Sequence, residues 1–331
     1  MEFLRFLESI RTGVGDFFFA TVTHLGEEVF FLAIAILFYW CISKRQGYYI
    51  LVTGVLGSVI NQWLKIICRI PRPWIIDPNF EPVGDAVAEA TGYSFPSGHT
   101  QNIAGTWGCI GRYNKQRWVK ILSVSVILLV AFSRMYLGVH TPLDVCTSLG
   151  IAAAIVFLMH FVFRTEESAN KYMLWVMIGS VIFSVAFIIY VFLLPESGFT
   201  TEADLANLLS AKKNAATLTG CLFGLALVYP LDRYVIKFDT KGRWYAQVIK
   251  FVVGVAVVLG IKSGLSKPLV SLFGNEYVAR AVRYFLIVAF AGGVWPLTFK
   301  FFEKLRIGKM ERFTEWGVSK VKKTGAAEQA E

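Results

Sequence analysis

Ser133-Arg134-Met135-Tyr136-Leu137-Gly138-Val139-His140-Thr141-Pro142-Leu143-Asp144 closes one long apolar run and opens the next. It sets an arginine, a histidine and a carboxylate where a membrane helix meets water, and ionisable groups at that depth are costly and usually functional. Two earlier stretches read as its partners, Lys65 to Pro73 (KIICRIPRP) and Ser94 to Thr100 (SFPSGHT), each at the end of its own apolar run.

Around these stretches, 55% of the 331 residues are hydrophobic and 15% aromatic, with a mean hydropathy of +0.55. A soluble domain of this length has no use for so much apolar surface. Runs of about 20 apolar residues repeated along a chain mark a polytopic helical membrane protein. The net charge of +10 does not point to nucleic acid, because the basic residues fall between apolar runs and in the tail, where anionic headgroups and the positive-inside rule account for them. Five scattered cysteines, Cys41, Cys68, Cys109, Cys146 and Cys221, have no metal-ligand spacing and read as small buried apolar residues.

The fold class expected is all-α, with about nine transmembrane helices: 29–41, 48–67, a short one at 99–111, 118–137, 143–163, 172–194, 214–230, 244–264 and 280–299. Residues 1–27 alternate Phe3, Leu4, Phe6, Leu7 and Ile10 with Glu2, Arg5, Glu8 and Arg11, the period of an amphipathic helix lying on a membrane surface. No removable signal peptide is expected there. Residues 28–165 form the motif-bearing core, 166–305 are additional transmembrane helices that would shape a substrate tunnel or mediate assembly, and 306–331 are a basic cytoplasmic tail. Glu27 and Glu28 read as carboxylates favoured at a helix N-terminus rather than as a metal or acid site. Gly220xxxGly224 and Gly260xxxGly264 have helix-seam spacing, but such pairs are common in Gly-rich spans and receive no function.

With nine spans, Lys44 and Arg45, Arg112 to Arg117, Arg164 and Lys171, Arg233 to Arg243 and the tail from Lys300 to Lys323 share one side, which the positive-inside rule makes cytoplasmic. The acidic loop from Asp77 to Glu89 falls on the opposite side together with all three motif stretches.

Three cations brought together at a membrane edge, Lys65, Arg72 and Arg134, are stable only with an anion between them. Phosphate suits them, since guanidinium offers paired donors and ammonium a point charge. Snorkelling to the interface would explain one such residue, but fits three beside two histidines poorly. Pro71 and Pro73 stiffen the chain around Arg72. Pro96-Ser97-Gly98-His99 precedes an apolar helix, so its backbone N–H groups and the Ser97 hydroxyl should face an anion, with Gly98 allowing close approach. Pro142 suits a first helical turn, which places His140 just before the helix and Asp144 one turn inside it. Asp144 can then hold one ring nitrogen of His140 and leave the other free to attack.

The three stretches resemble the type 2 phosphatidic acid phosphatase superfamily, which includes lipid phosphate phosphatases, undecaprenyl pyrophosphate phosphatases, sphingosine phosphate phosphatases, glucose 6-phosphatase and the soluble vanadium haloperoxidases. The resemblance rests on Lys65 with Arg72-Pro73, on Pro96 to His99, and on Ser133-Arg134 with His140 and Asp144; it covers about residues 29–163. It implies that His140 forms a phosphohistidine, Asp144 orients it, His99 protonates the leaving oxygen, and Lys65, Arg72, Ser97, Gly98 and Arg134 hold the phosphoryl oxygens. No metal and no other cofactor is implied. The partners expected are a lipid phosphate substrate and membrane lipids. The site would face the periplasm or exterior in a bacterial plasma membrane, or the lumen of a eukaryotic endoplasmic reticulum. A bell-shaped pH profile near the ordinary histidine value of about 6.5 is expected. Two alternatives remain at this point: a sugar phosphatase similar to glucose 6-phosphatase, and a lipid transporter or scramblase with a vestigial phosphatase site.

Overall fold

A computed structural model describes residues 1–306; the expected basic tail lies outside the described residues apart from Arg306. The first helices are α1 (Glu2–Ser9), α2 (Gly13–Thr23), α3 (Glu28–Leu37, extended by a wider turn over Phe38–Ile42), α4 (Lys44–Cys68), the short α5 (Pro73–Ile76) and α6 (Gly84–Glu89). There follow α7 (Gly98–Tyr113), α8 (Arg117–Tyr136), α9 (Pro142–Phe163), α10 (Glu166–Leu193) and α11 (Glu202–Pro230). The chain ends in α12 (Trp244–Gly264), α13 (Ser266–Phe273), α14 (Glu276–Ala289) and α15 (Phe299–Lys304).

Helix boundaries follow from capping chemistry at the ends of the apolar runs. Ser43 accepts from the Gln46 amide to start α4, Thr165 from Ser168 to start α10 and Thr201 from Asp204 to start α11. At the far end of α4, Arg69 adopts a left-handed conformation and Pro71 and Pro73 follow, so the helix cannot continue.

Among the described residues, seven helices are long and apolar enough to cross a membrane, or eight if the bent pair Gly13–Gly26 and Glu28–Ile42, which turns by 52°, counts as one span. The expected count of about nine adds α7, whose 16 residues fall short of the roughly 20 that a perpendicular crossing needs. Many large apolar side chains point outward, among them Trp118, Leu128, Trp175 and Ile182. Outward apolar surface on this scale suits lipid as the solvent, and the chain is an integral-membrane protein.

Ring stacking and buried polar contacts join the C-terminal helices to the rest. Trp63 of α4 stacks on Tyr190 of α10 with ring centroids 5.0 Å apart. Lys44 pairs with the buried Asp232 at 2.6 Å, and the Tyr48 hydroxyl donates to the same carboxylate at 3.3 Å. α11 also packs closely along α14, because Gly220 and Gly224 lack side chains: a Cβ at Gly224 would stand 2.7 Å from Val288 Cβ, and one at Gly220 would strike the Ala281 carbonyl. The first glycine pair is thus a helix seam. The second is not one among the described residues, where nothing lies within 4 Å of a Cβ at Gly260 or Gly264.

The N-terminal helices do not stand apart from the bundle. Arg5 pairs with Asp77 at 2.6 Å, Glu8 accepts from the Glu81 amide at 2.9 Å, and Arg11 donates to the Tyr136 carbonyl at 2.9 Å and to the Glu81 carbonyl. These bonds lay α1 and the turn after it across the loop that follows α4 and the end of α8.

Candidate active site

α4, α7, α8 and α9 end at one place, and their ends carry the three sequence stretches. Lys65, Arg72, Arg134, His140, Asp144 and Ser97 are all buried, Arg134 and Ser97 completely.

The turn from α8 to α9 fixes His140. The Leu137 and Gly138 amides bond back to Ser133 and Met135, and the Val139 amide donates to the Arg134 carbonyl at 3.2 Å. Gly138 sits at a φ of +76°, and a Cβ there would fall 2.7 Å from the Phe80 ring. Only glycine fits both the conformation and the space. Thr141 then caps α9 reciprocally: its hydroxyl accepts from the Asp144 amide at 3.3 Å, and Asp144 Oδ2 accepts from the Thr141 amide at 2.7 Å. This capping box aims the Asp144 carboxylate at the imidazole. His140 Nδ1 stands 3.5 Å from Asp144 Oδ2, a separation longer than a good hydrogen bond.

Arg72 lies on the other edge of the ring. Its Nη1 is 3.0 Å from His140 Nε2 and also donates to the Val139 carbonyl at 3.0 Å. Its Nε and Nη2 donate to the Gly92 and Thr91 carbonyls at 3.0 and 2.9 Å. A guanidinium can only donate, so the contact selects the tautomer with its lone pair on Nε2 and its proton on Nδ1, toward Asp144. Lys65 donates to the Tyr93 carbonyl, and Arg134 Nη1 to the Thr23 hydroxyl at 2.6 Å. Burial disfavours a charged His140 ring, and the positive charges of Arg72, Arg134 and Lys65, with His99, oppose it further, holding its pKa well below the ordinary histidine value.

α7 begins at the same place. Ser97 caps it, its hydroxyl accepting from the Thr100 amide at 3.4 Å and from the Thr100 hydroxyl at 2.9 Å. The Ser97 carbonyl accepts from Ser148 at 2.9 Å and its amide donates to the Asp144 carbonyl at 3.3 Å, locking the start of α7 to α9. Gly98 has open space beside it apart from Asn61 Oδ1 at 3.9 Å. His99 Nε2 is buried with no hydrogen-bond partner among the described residues.

Two further residues join the cluster that the motifs alone do not mark. Ser94, completely buried, donates to Asp144 Oδ2 at 2.7 Å, and Thr23 of α2 receives Arg134. The only signal for Ser94 was its place at the head of the second stretch. Ser94→Ala removes a hydrogen bond to a charged acceptor, and we expect catalytic turnover to fall about tenfold or more with the fold retained; steady-state kinetics beside a thermal melt checks this.

This geometry defines a class: a helical membrane protein with a buried, strongly cationic anion site built on a histidine–aspartate pair. Comparison with known proteins gives the family. The PAP2 superfamily model matches residues 45–168, and a second, described as "PAP2 superfamily phosphatase, transmembrane extension", matches residues 216–307. Together they cover more than half of the chain, which belongs to the PAP2 superfamily.

A probable sphingosine-1-phosphate phosphatase of Dictyostelium discoideum is 29% identical over 48% of this chain and 41% of its own length. The undecaprenyl-diphosphatase BcrC of Bacillus subtilis is 33% identical over 35% of this chain and 57% of its own. Sphingosine-1-phosphate phosphatase 1 of Mus musculus is 24% identical over 77% of this chain and 61% of its own. The chain therefore spans roughly half of the length of these curated relatives. No solved structure matches it.

Proposed function

We propose that the protein is a membrane phosphatase that hydrolyses a lipid phosphate or diphosphate through a phosphohistidine on His140, at the non-cytoplasmic face. The observation that carries this reading is the arrangement about one ring: Asp144 behind Nδ1, Arg72 before Nε2, and Lys65 and Arg134 adding positive charge in a buried site. A fixed cationic surround of this kind stabilises a phosphoryl group whose charge spreads over its equatorial oxygens.

In the proposed cycle the Arg72 contact to Nε2 is exchanged for one to a phosphoryl oxygen. The Nε2 lone pair attacks phosphorus and the bond from phosphorus to the leaving oxygen breaks, with His99 giving that oxygen its proton. Water then attacks the phosphohistidine, His99 takes the proton back, and inorganic phosphate leaves with His140 neutral again. Asp144 balances the charge that the ring acquires. Lys65, Arg72, Arg134, the Ser97 hydroxyl and the Gly98 amide hold the phosphoryl oxygens.

The names of the relatives support a lipid substrate: sphingosine 1-phosphate for two of them, undecaprenyl diphosphate for the third. The side is argued from charge. Lys44, Arg45, Arg112, Arg117 and Arg164 flank the helix ends opposite the motif stretches, and such ends favour the cytoplasm.

The test is phosphate release by the purified protein in EDTA, with undecaprenyl diphosphate, phosphatidate, sphingosine 1-phosphate and glucose 6-phosphate as substrates, followed across pH. A nucleophilic imidazole must be neutral, so kcat/KM falls as pH drops through the pKa of His140 in the free enzyme. Because burial and three cations lower that pKa, the acid limb is expected below about 6.5. An acid limb above that value, or release from none of the four substrates, contradicts the reading.

A further inference from the structure

Two cavities outside the cluster share a wall. One, of about 180 Å³, is lined mostly by apolar side chains of α3, α4, α11, α12 and α14, with Glu28, Lys262 and three tyrosines among them. The other, of about 90 Å³, is lined by amides, hydroxyls and Gly98 of the second motif stretch. Glu28 borders both. On α4 a single stripe, Tyr48, Leu51, Val55, Ser58 and Gln62, runs along the two in succession, turning from apolar to polar. On α11, Leu218 lines the polar cavity and Cys221, Leu225 and Val228 the apolar one, again one face of one helix.

We propose that these cavities form one channel that holds the lipid of the substrate, with a single apolar chain between the motif-bearing core and the C-terminal helices and a hydrogen-bond-donating linker in the polar cavity; this rests on the phosphatase reading above.

Three observations support that occupant. The polar end adjoins the phosphate site: Gly98 lines it, and Asn61 in its wall donates to the Pro96 carbonyl at 3.4 Å. That end is rich in acceptors. Asn61 Oδ1 and Gln101 Oε1 are buried without a partner among the described residues, so a hydroxyl or ammonium next to the phosphate would satisfy them, and the Glu28 carboxylate, which also feels Lys262 and Arg280, sits at the junction. Last, the apolar part follows α3 from Glu28 to Tyr39, eleven residues or roughly 16 Å of helix, about half of the ~30 Å hydrocarbon thickness of a bilayer. The channel therefore has the depth of one leaflet.

Such a channel also gives the helices beyond the motif core a role. α12 supplies Val255 and Val258 to its outer wall, α14 Val288 and the turn after α14 Ala291, and the lipid-facing surface of α8 takes no part.

The test uses the full-length protein in nanodiscs with hexadecyl phosphate carrying a terminal diazirine, photolysed and mapped by peptide mass spectrometry. Adducts are expected around Leu225, Val255 and Val288, in excess over those from a matched diazirine hexadecanol. Adducts spread over Leu128, Trp175 and Ile182 at equal yield with both probes indicate bulk lipid contact and overturn the proposal. In kinetics, Val255→Trp is expected to lower the ratio of kcat/KM for hexadecyl phosphate to that for butyl phosphate by about tenfold, the effect of denying burial to about two methylenes. Leu259→Trp, at the exposed rim, serves the same purpose if the first variant does not fold. An unchanged ratio in the folded variant overturns the tail assignment. Glu28→Gln is expected to reduce the preference for a long-chain phosphate bearing an ammonium group over plain hexadecyl phosphate, and a retained preference contradicts the linker assignment. If no phosphate is released from any substrate, the phosphatase reading fails, while the labelling pattern still decides whether the channel takes a lipid phosphate.

Discussion

Replacing His140 with alanine is expected to lower phosphate release by about 10⁴-fold or more, the scale of loss when the nucleophile of a covalent mechanism is removed. The protein should remain folded, because the capping box between Thr141 and Asp144 and the Gly138 turn do not depend on the ring. Circular dichroism and a thermal melt of the variant check that condition, and phosphate release over a long time course measures the residue. A pure lipid carrier would keep its transport after this substitution, whereas phosphate release at the wild-type rate from a folded His140→Ala protein excludes the phosphohistidine account.

Arg72→Lys is the second large effect, expected to lower kcat/KM by on the order of 10³-fold although the charge is kept. Arg72 makes four contacts that a lysine cannot share: the carbonyls of Thr91, Gly92 and Val139 receive its Nη2, Nε and Nη1, and His140 Nε2 faces Nη1 at 3.0 Å, the last of them exchanged for a phosphoryl oxygen in the proposed cycle. An ammonium has one centre and no fixed fork. It would leave buried carbonyls unpaired and the tautomer of His140 unselected, so the loss should fall on kcat as well as KM. Kinetics close to wild type would show that Arg72 supplies charge alone.

The elements that a chain pattern can reveal were those set by local chemistry. Apolar runs of bilayer length gave the helices, whereas the caps that set their starts, Ser43, Ser97 and Thr141, emerge only from the structure. The cationic cluster was legible because its members occur in fixed short spacings at the ends of those runs, and the structure brings Lys65, Arg72, Arg134, His140 and Asp144 into one buried group. What stayed hidden depends on residues far apart in the chain. Nothing local says that Thr23 receives Arg134, that Arg5 and Arg11 pin the N-terminal helices to the loop after α4, or that Asp232 anchors Lys44.

The glycine pairs show the same limit. Gly220 and Gly224 have the spacing of Gly260 and Gly264, yet only the first pair meets a neighbouring helix. Spacing offers a seam; whether another helix lies there is decided by the tertiary fold. The purpose of residues 166–305 was likewise open between a tunnel and an assembly surface, and only the stripe shared by the two cavities favours the first.

The central claim is that the imidazole of His140 becomes covalently phosphorylated during turnover. The most direct measurement is a rapid quench at alkaline pH of the protein turning over a lipid phosphate, followed by mass spectrometry of the peptide that contains His140. The account predicts an acid-labile phosphoryl group on that ring, absent from His140→Ala and more persistent when His99 is replaced. Steady release of phosphate with no such adduct on His140 at any quench time would contradict it.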